Sequence, residues 1–108
     1  MNLTTEVFGE VVVVHTPEEL GTEQADGFGM FIRSLDKSNV IVDLDGTETI
    51  DSRGLESLID SLEFLRAEGG DLKVTTTNFV NRKILEITRL DHHLEVHESV
   101  IEAVKSFL

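Results

Sequence analysis

The sequence contains no cysteine, and this absence excludes two classes of site. Neither a disulfide bond nor a thiolate metal site can form without cysteine. Tryptophan and tyrosine are absent as well, and phenylalanine occurs only six times. Because single-stranded nucleic acid is held largely by stacking of bases on aromatic side chains, a binding platform of that kind is not expected.

Basic side chains are also scarce. Nine lysines and arginines stand against 21 aspartates and glutamates, which gives a formal net charge of −12. A surface of this charge repels nucleic-acid phosphates and anionic lipid headgroups, so neither nucleic acid nor a membrane is expected as a partner. A basic protein partner would be attracted to it.

Long apolar runs are missing too, and none approaches the roughly 20 residues that a membrane-spanning helix needs. Residues 1–10 do not combine a basic region with an apolar segment, so no signal peptide is predicted and we expect a cytoplasmic protein. A chain of 108 residues with 40% hydrophobic residues can form one core, which predicts a single domain over residues 1–108.

What the sequence does contain is a regular alternation of predicted strands and helices. The predicted strands are Val11–Val14, Val40–Leu44, Leu72–Val74 and Leu94–Val96, with an edge strand around Leu3 and Val7 before a turn at Gly9 and Glu10. The predicted helices are Phe28 to Leu35 with Thr22 as N-cap, Leu55 to Leu65 with Gly69 and Gly70 after it, Val80 to Ile87, and Val100 to Leu108. This order predicts an α/β fold, in which a mixed, largely parallel sheet of four to five strands is covered by about four helices.

Two polar segments, Asp45–Ser52 and Thr75–Phe79, follow buried strands and are predicted to meet at the carboxyl edge of the sheet, where such folds bind ligands. The run from Asp43 to Thr47 resembles the first motif of haloacid-dehalogenase-type phosphatases. In that family one aspartate attacks phosphorus, a second acts as acid and base, and a metal ion neutralises charge. Thr75–Asn78 resembles the second motif of the same family.

The later motifs of that phosphatase family are missing. They require a lysine on a following helix and a further acidic pair, but only one short helix is predicted after Val96, and no acidic pair follows its Lys105. A small magnesium-dependent phosphatase is therefore an alternative, and the sequence predicts no enzyme.

Ser52 offers a different chemistry. It follows Asp51 and precedes the helix that contains Leu55, so either Asp51 or Ser52 is predicted to cap that helix. If Ser52 is the cap, its oxygen accepts a backbone N–H and has no further role. If Ser52 carries a phosphate instead, the helix dipole and free N–H groups would stabilise it, and it would add about −1.5 to −2 charges.

From Asn39 to Leu108 the sequence resembles a STAS domain of the anti-sigma-factor-antagonist type. The resemblance lies in Val40–Leu44, Ile50–Leu55, Gly69–Val74, Ile84–Leu90 and Leu94–Ser99. The N-terminal third fits more loosely, chiefly through Glu19, Leu20 and Ala25.

This resemblance implies a regulator without enzymatic activity or cofactor. Such a protein binds an anti-sigma factor that is also a serine kinase, is phosphorylated on the serine after the aspartate, and is reset by a serine phosphatase. By position the phosphorylated residue is Ser52, and the partner-binding residues are Asp51, Arg53, Gly54 and Glu56. A STAS subunit that is not phosphorylated, within a stressosome-like or transporter assembly, is the alternative of the same fold.

Three positions depart from the family's pattern. Arg53 and Glu56 stand where small residues are usual, and Gly21 stands where an acidic residue is usual. Glu56 lies four residues after Ser52 and therefore on the same helical face, which places a carboxylate beside a phosphate on Ser52. Arg53 is predicted to offset that repulsion or to contact the partner.

The histidines do not predict a metal site. His92 and His93 are adjacent, so their side chains point in different directions, and no cysteine accompanies them or His97. Solvent-exposed loop histidines are expected.

Overall fold

A computed structural model describes residues 1–108, which form seven strands and four helices. In chain order the strands are β1 (Thr5–Phe8), β2 (Val11–His15), β3 (Glu19–Leu20), β4 (Asn39–Asp43), β5 (Thr49–Ile50), β6 (Asp71–Thr75) and β7 (Val96–His97). The helices are α1 (Thr22–Arg33), α2 (Ser52–Ala67), α3 (Phe79–Ile87) and α4 (Val100–Ser106). No helix is both long and apolar enough to cross a membrane.

The main sheet has five strands in the spatial order β1-β2-β4-β6-β7. Only β1 runs antiparallel to its neighbour, and all other pairs are parallel. The predicted α/β class and the mixed, largely parallel sheet are thus confirmed. β3 and β5 pair with each other in a separate parallel ladder.

The central strands form because their β-branched residues are buried on both faces of the sheet. Val12 and Val14 pack with α1 and α2 in the larger core. Val11 and Val13 point the other way and pack with Ala103 of α4. The turn from β1 to β2 uses Gly9, whose φ of 62° suits glycine.

Two predicted positions shift in the structure. The N-cap of α1 is Gly21, one residue before the predicted Thr22, because the acceptors for the first turn come from other residues. The last strand lies at Val96–His97 rather than Leu94–Val96, because the side chain of Leu94 is buried in the core beside Leu90. Gly69 has a φ of 86° and follows α2 as predicted.

Helix α3 is present as predicted, but its apolar stripe does not face the core. The buried residues of α3 are Asn81 and Leu85. Val80 and Ile87 are exposed, and Ile84 is half-buried. Most of the apolar side chains that mark this helix in the sequence are therefore open to solvent.

Candidate functional site

The short ladder of β3 and β5 brings two helix N-termini together. Leu20 pairs with Ile50, so the residues that follow them, Gly21 and Asp51, lie side by side. Gly21 is the N-cap of α1, and Asp51 is the N-cap of α2. The positive ends of two helix dipoles therefore converge on one point.

The Asp51 carboxylate caps both helices. Its Oδ1 accepts the N–H groups of Arg53 and Gly54 at 3.0 Å. Its Oδ2 accepts the N–H of Thr22 at 3.0 Å and the Thr22 hydroxyl at 3.1 Å. These bonds lower the pKa of Asp51, first through the N–H of Gly54 and then through Thr22 and Arg53, so the carboxylate stays ionised.

Ser52 is the first residue of α2, and its side chain is exposed. Because Asp51 is the cap, the Ser52 hydroxyl is not needed for capping and makes no hydrogen bond within the chain. The same geometry corrects one expectation: the N–H groups of Arg53 and Gly54 are not free to hold a phosphate, since Asp51 already occupies them. The helix dipoles and the guanidinium of Arg53 remain.

Arg53 lies beside Ser52 and bridges two helices. Its guanidinium donates to Glu56 at 2.9 Å and to Asp26 of α1 at 3.2 Å. Arg53 thus neutralises Glu56, the residue whose carboxylate was expected beside Ser52. Asp26 and Thr22 belong to the same junction, and no local pattern in the sequence identifies them, because their partners lie 27 and 29 residues away.

Gly54 is buried where α2 crosses β3. A Cβ atom at this position would lie 2.0 Å from the carbonyl oxygen of Leu20. At Gly21, a Cβ atom would lie 2.9 Å from Oδ2 of Asp51. Packing within the chain accounts for both glycines, including the one that replaces the family's usual acidic residue, and a role for Gly54 in partner binding stays a prediction.

The aspartates of the phosphatase-like motif hold loops at the sheet edge. Oδ2 of Asp43 lies 2.8 Å from Nδ1 of His15, and its Oδ1 accepts the Thr75 hydroxyl at 3.3 Å. Oδ1 of Asp45 accepts the N–H of Thr77 at 2.6 Å and its hydroxyl at 3.2 Å. These contacts give both carboxylates a structural role.

The remaining candidate ligands are scattered. No group of three or more histidine, aspartate or glutamate side chains is arranged to hold a metal ion. His92 and His93 are exposed in the loop before β7, and His97 lies 3.2 Å from Glu95.

Comparison with known proteins finds others of similar sequence and architecture. A protein of Thermotoga maritima named as a candidate anti-sigma factor antagonist is 25% identical over 103 residues, which cover 92% of this chain and 91% of that protein. The crystal structure of an anti-sigma factor antagonist from Mycobacterium paratuberculosis matches with a TM-score of 0.86 at 22% identity, over 97% of this chain and 92% of that one.

A third similar protein is known in a modified state. The phosphorylated form of the Bacillus cell fate determinant SpoIIAA matches with a TM-score of 0.73 at 18% identity, over 99% of this chain and all of that chain. At these identities the structural matches establish the fold alone. The family model described as the STAS domain matches residues 2–103. The chain therefore belongs to the STAS domain family.

Proposed function

We propose that this protein is an anti-sigma factor antagonist and that an anti-sigma factor with serine kinase activity phosphorylates it on Ser52. One observation carries the proposal: the Ser52 hydroxyl is exposed and unbonded at the point where two helix N-termini meet. A hydroxyl in this position can be modified without breaking any contact of the fold.

Two of the relatives support this assignment. The Thermotoga maritima protein is named as a candidate for the same function, and its similarity extends over nearly the whole of both chains. The Bacillus protein shows that a related fold exists in a phosphorylated form.

The partner kinase supplies the ATP and the base that phosphate transfer requires. The Ser52 Oγ attacks the γ-phosphorus of ATP held by the kinase, the bond to the β-phosphate oxygen breaks, and ADP leaves. The hydroxyl proton passes to a base of the kinase, because the Asp51 carboxylate is already committed to four donors. Asp51 contributes by fixing the backbone at the start of α2, which holds Ser52 in one place.

Phosphorylation ends the association through charge. A phosphate adds about −1.5 to −2 charges at Ser52, opposite the nucleotide phosphates of the kinase. Arg53 cannot fully compensate, since it already pairs with Asp26 and Glu56. A separate serine phosphatase restores the free hydroxyl.

The test is phosphorylation in vitro by a candidate serine kinase of the anti-sigma type, with the site located by mass spectrometry. We expect one phosphate, on Ser52, and none in Ser52→Ala, whose urea midpoint should match that of the wild-type protein. Ser99→Ala is the matched control, because Ser99 also lies at the start of a helix but caps it by accepting the N–H of Glu102 at 3.1 Å. This variant should still be phosphorylated and should lose about 0.5–2 kcal/mol of stability.

Phosphate on another residue, with Ser52→Ala binding and dissociating like the wild-type protein, would refute the assignment of Ser52. Stable binding to a partner without any phosphate transfer would instead favour a STAS subunit that is not phosphorylated.

A further inference from the structure

One flank of α3 is apolar and unpartnered. Val80 is 58% exposed and Ile87 is 78% exposed, and Ile84 lies between them at helical spacing. The residues that α3 buries, Asn81 and Leu85, point away from this flank. Exposed apolar side chains that neighbour one another on a helix suit a surface that another molecule covers.

This flank adjoins a groove between α2 and the end of α3. The groove has a volume of about 390 Å³ and is lined by Ser52, Leu55, Glu56, Ile59, Asp60, Thr88 and Leu90. Thr88 lies four residues after Ile84 on α3, so the flank ends about one helical turn from the groove. The half-buried Leu55 and Ile59 of α2 and the buried Leu90 supply the apolar part of the groove lining.

The charges around the groove are asymmetric. Glu56 and Asp60 line its α2 side; Glu56 is paired with Arg53, and Asp60 has no ion-pair partner in the chain. On the far flank of α3, Arg82 and Lys83 lie 4.0 Å and 3.4 Å from Glu86, with which they pair. The groove is thus bordered along α2 by the uncompensated carboxylate of Asp60.

These charges indicate which kind of molecule can bind in the groove. A second copy of this chain, itself of net charge −12, would place acidic residues against an acidic border, and an anionic lipid surface would be repelled in the same way. A helix with an apolar face and basic residues along one edge fits both the apolar surface and its border.

We infer that the groove between α2 and α3, together with the apolar flank of α3, receives a basic amphipathic helix of the partner protein. The inference rests on the proposed function, because Ser52 lies at the α2 end of the same groove. A helix seated there holds the kinase next to Ser52 by contacts that do not involve the hydroxyl. Docking and phosphorylation are then two separable properties of neighbouring surfaces.

The probe is a synthetic helical peptide of about 15 residues with leucines on one face and lysines beside them. Titrated into the isotopically labelled protein, it should shift the amide signals of Leu55, Ile59, Ile84 and Ile87. Ile87→Ser should weaken the affinity roughly tenfold. Ile101→Ser is the matched control, since Ile101 is 66% exposed on α4 across the sheet, and it should bind the peptide like the wild-type protein.

Two further peptides separate charge from apolar contact. Peptides with glutamate in place of lysine, or with serine in place of leucine, should bind much more weakly. The inference is overturned if the signal changes spread evenly over the acidic surface, or if Ile87→Ser and Ile101→Ser bind equally. It is also overturned if the protein forms a dimer that Ile87→Ser dissociates, because a second copy then covers the flank.

The outcome is independent of the phosphorylation test. Peptide docking with no phosphate on Ser52 would leave the groove intact and remove the proposed switch. Phosphorylation of Ser52 by a kinase that binds Ile87→Ser as tightly as the wild-type protein would keep the switch and remove the groove as its docking site.

Discussion

At the scale of single residues, the position of Ser52 depends on a close approach that only glycine permits. A Cβ atom on Gly54 would lie 2.0 Å from the Leu20 carbonyl oxygen, which is far inside van der Waals contact. Either α2 or β3 would have to move to accommodate it. Gly54 therefore sets the distance between the ladder of β3 and β5 and the first turn of α2.

Gly54→Ala should destabilise the protein by about 3 kcal/mol or more, because the added methyl group meets rigid backbone. Gly29→Ala is the matched control within α1, where a Cβ atom would lie 3.6 Å from the Ser57 hydroxyl oxygen, an ordinary contact. Alanine there should leave stability unchanged or raise it by up to about 1 kcal/mol, since glycine disfavours helix. Urea unfolding measures both, and equal effects of the two substitutions would contradict the argument.

The sequence placed Asp51 and Ser52 at the start of a helix but left open which of them is the cap. Both residue types cap helices well, so local preference does not separate them. The choice depends on Thr22, whose N–H and hydroxyl both donate to Asp51 from 29 residues away. A contact of that range is set by the pairing of β3 with β5, and these strands are too short to leave a periodic pattern.

At the scale of elements, α3 shows the limit of hydrophobic patterning. The spacing of Val80, Ile84 and Ile87 predicted a helix, and the helix is there. The buried face, however, contains Asn81, whose Nδ2 donates to the carbonyl oxygens of Leu44 and Thr47 at 3.2 Å and 2.9 Å. A polar residue that donates hydrogen bonds to buried backbone carbonyls can decide which face of a helix is buried, even against a row of apolar residues. The spacing of the apolar residues alone does not reveal this.

Helix α4 is held to the sheet by a buried lysine. Lys73 on β6 is 5% exposed, and its Nζ donates to the Ser106 carbonyl oxygen at 3.1 Å and to its hydroxyl at 2.7 Å. The same ammonium lies 3.2 Å from Glu95 and 4.1 Å from the centroid of the Phe107 ring. Partial burial works to raise the pKa of Glu95, but Lys73 and, after it, His97 outweigh this effect and the pKa is lowered.

Lys73→Met should loosen α4 without disturbing the site at α2. Methionine keeps the apolar stem and removes every bond of the ammonium, which should cost about 1 kcal/mol because Glu95 is half exposed. Amide hydrogen exchange should accelerate at Ala103 and Val104 and stay unchanged at Leu58.

Lys105→Met, on the exposed side of α4 and without an ion pair, should change neither stability nor exchange. Faster exchange throughout the chain in Lys73→Met would show that the lysine supports the whole sheet rather than α4.

At the scale of the whole molecule, His15 joins three strands of the sheet. Its Nδ1 lies 2.8 Å from Asp43 on β4, and its Nε2 lies 2.6 Å from Glu6 on β1. Partial burial acts to lower the pKa of His15, but the hydrogen bonds and charges of Glu6 and Asp43 raise it above its ordinary value. Protonated His15 therefore holds the edge strand β1 to the parallel part of the sheet.

The stability of the protein should fall as the pH rises through the folded-state pKa of His15. Because that pKa is raised, the contribution is complete below the unfolded value of about 6.5 and is lost above it. In urea unfolding, the advantage of the wild-type protein over His15→Gln should shrink as the pH is raised above about 6.5.

His93→Gln, in an exposed loop, should show no such trend. A difference between wild type and His15→Gln that stays constant over this range would mean that His15 acts by packing rather than by charge.

The main sheet was predictable because each central strand is a buried run of β-branched residues separated from the next by a helix. The edge strand was predicted from Leu3, Val7 and the turn at Gly9 and Glu10, whereas the spatial order of the strands was not predicted. The ladder of β3 and β5 was not predictable, since each strand has two residues. The groove beside α3 was not predicted either, because the spacing of apolar residues does not show which face of α3 is exposed.

The Ser52 hydroxyl makes no hydrogen bond within the chain, and this also affects how long a phosphate on Ser52 would last. A phosphate placed there breaks no hydrogen bond of the chain when it is added, and its removal restores none. Uncatalysed hydrolysis of phosphate monoesters is among the slowest of biological reactions. If Ser52 is phosphorylated as proposed, the phosphoserine should therefore outlast the stimulus that produced it and persist until a phosphatase removes it.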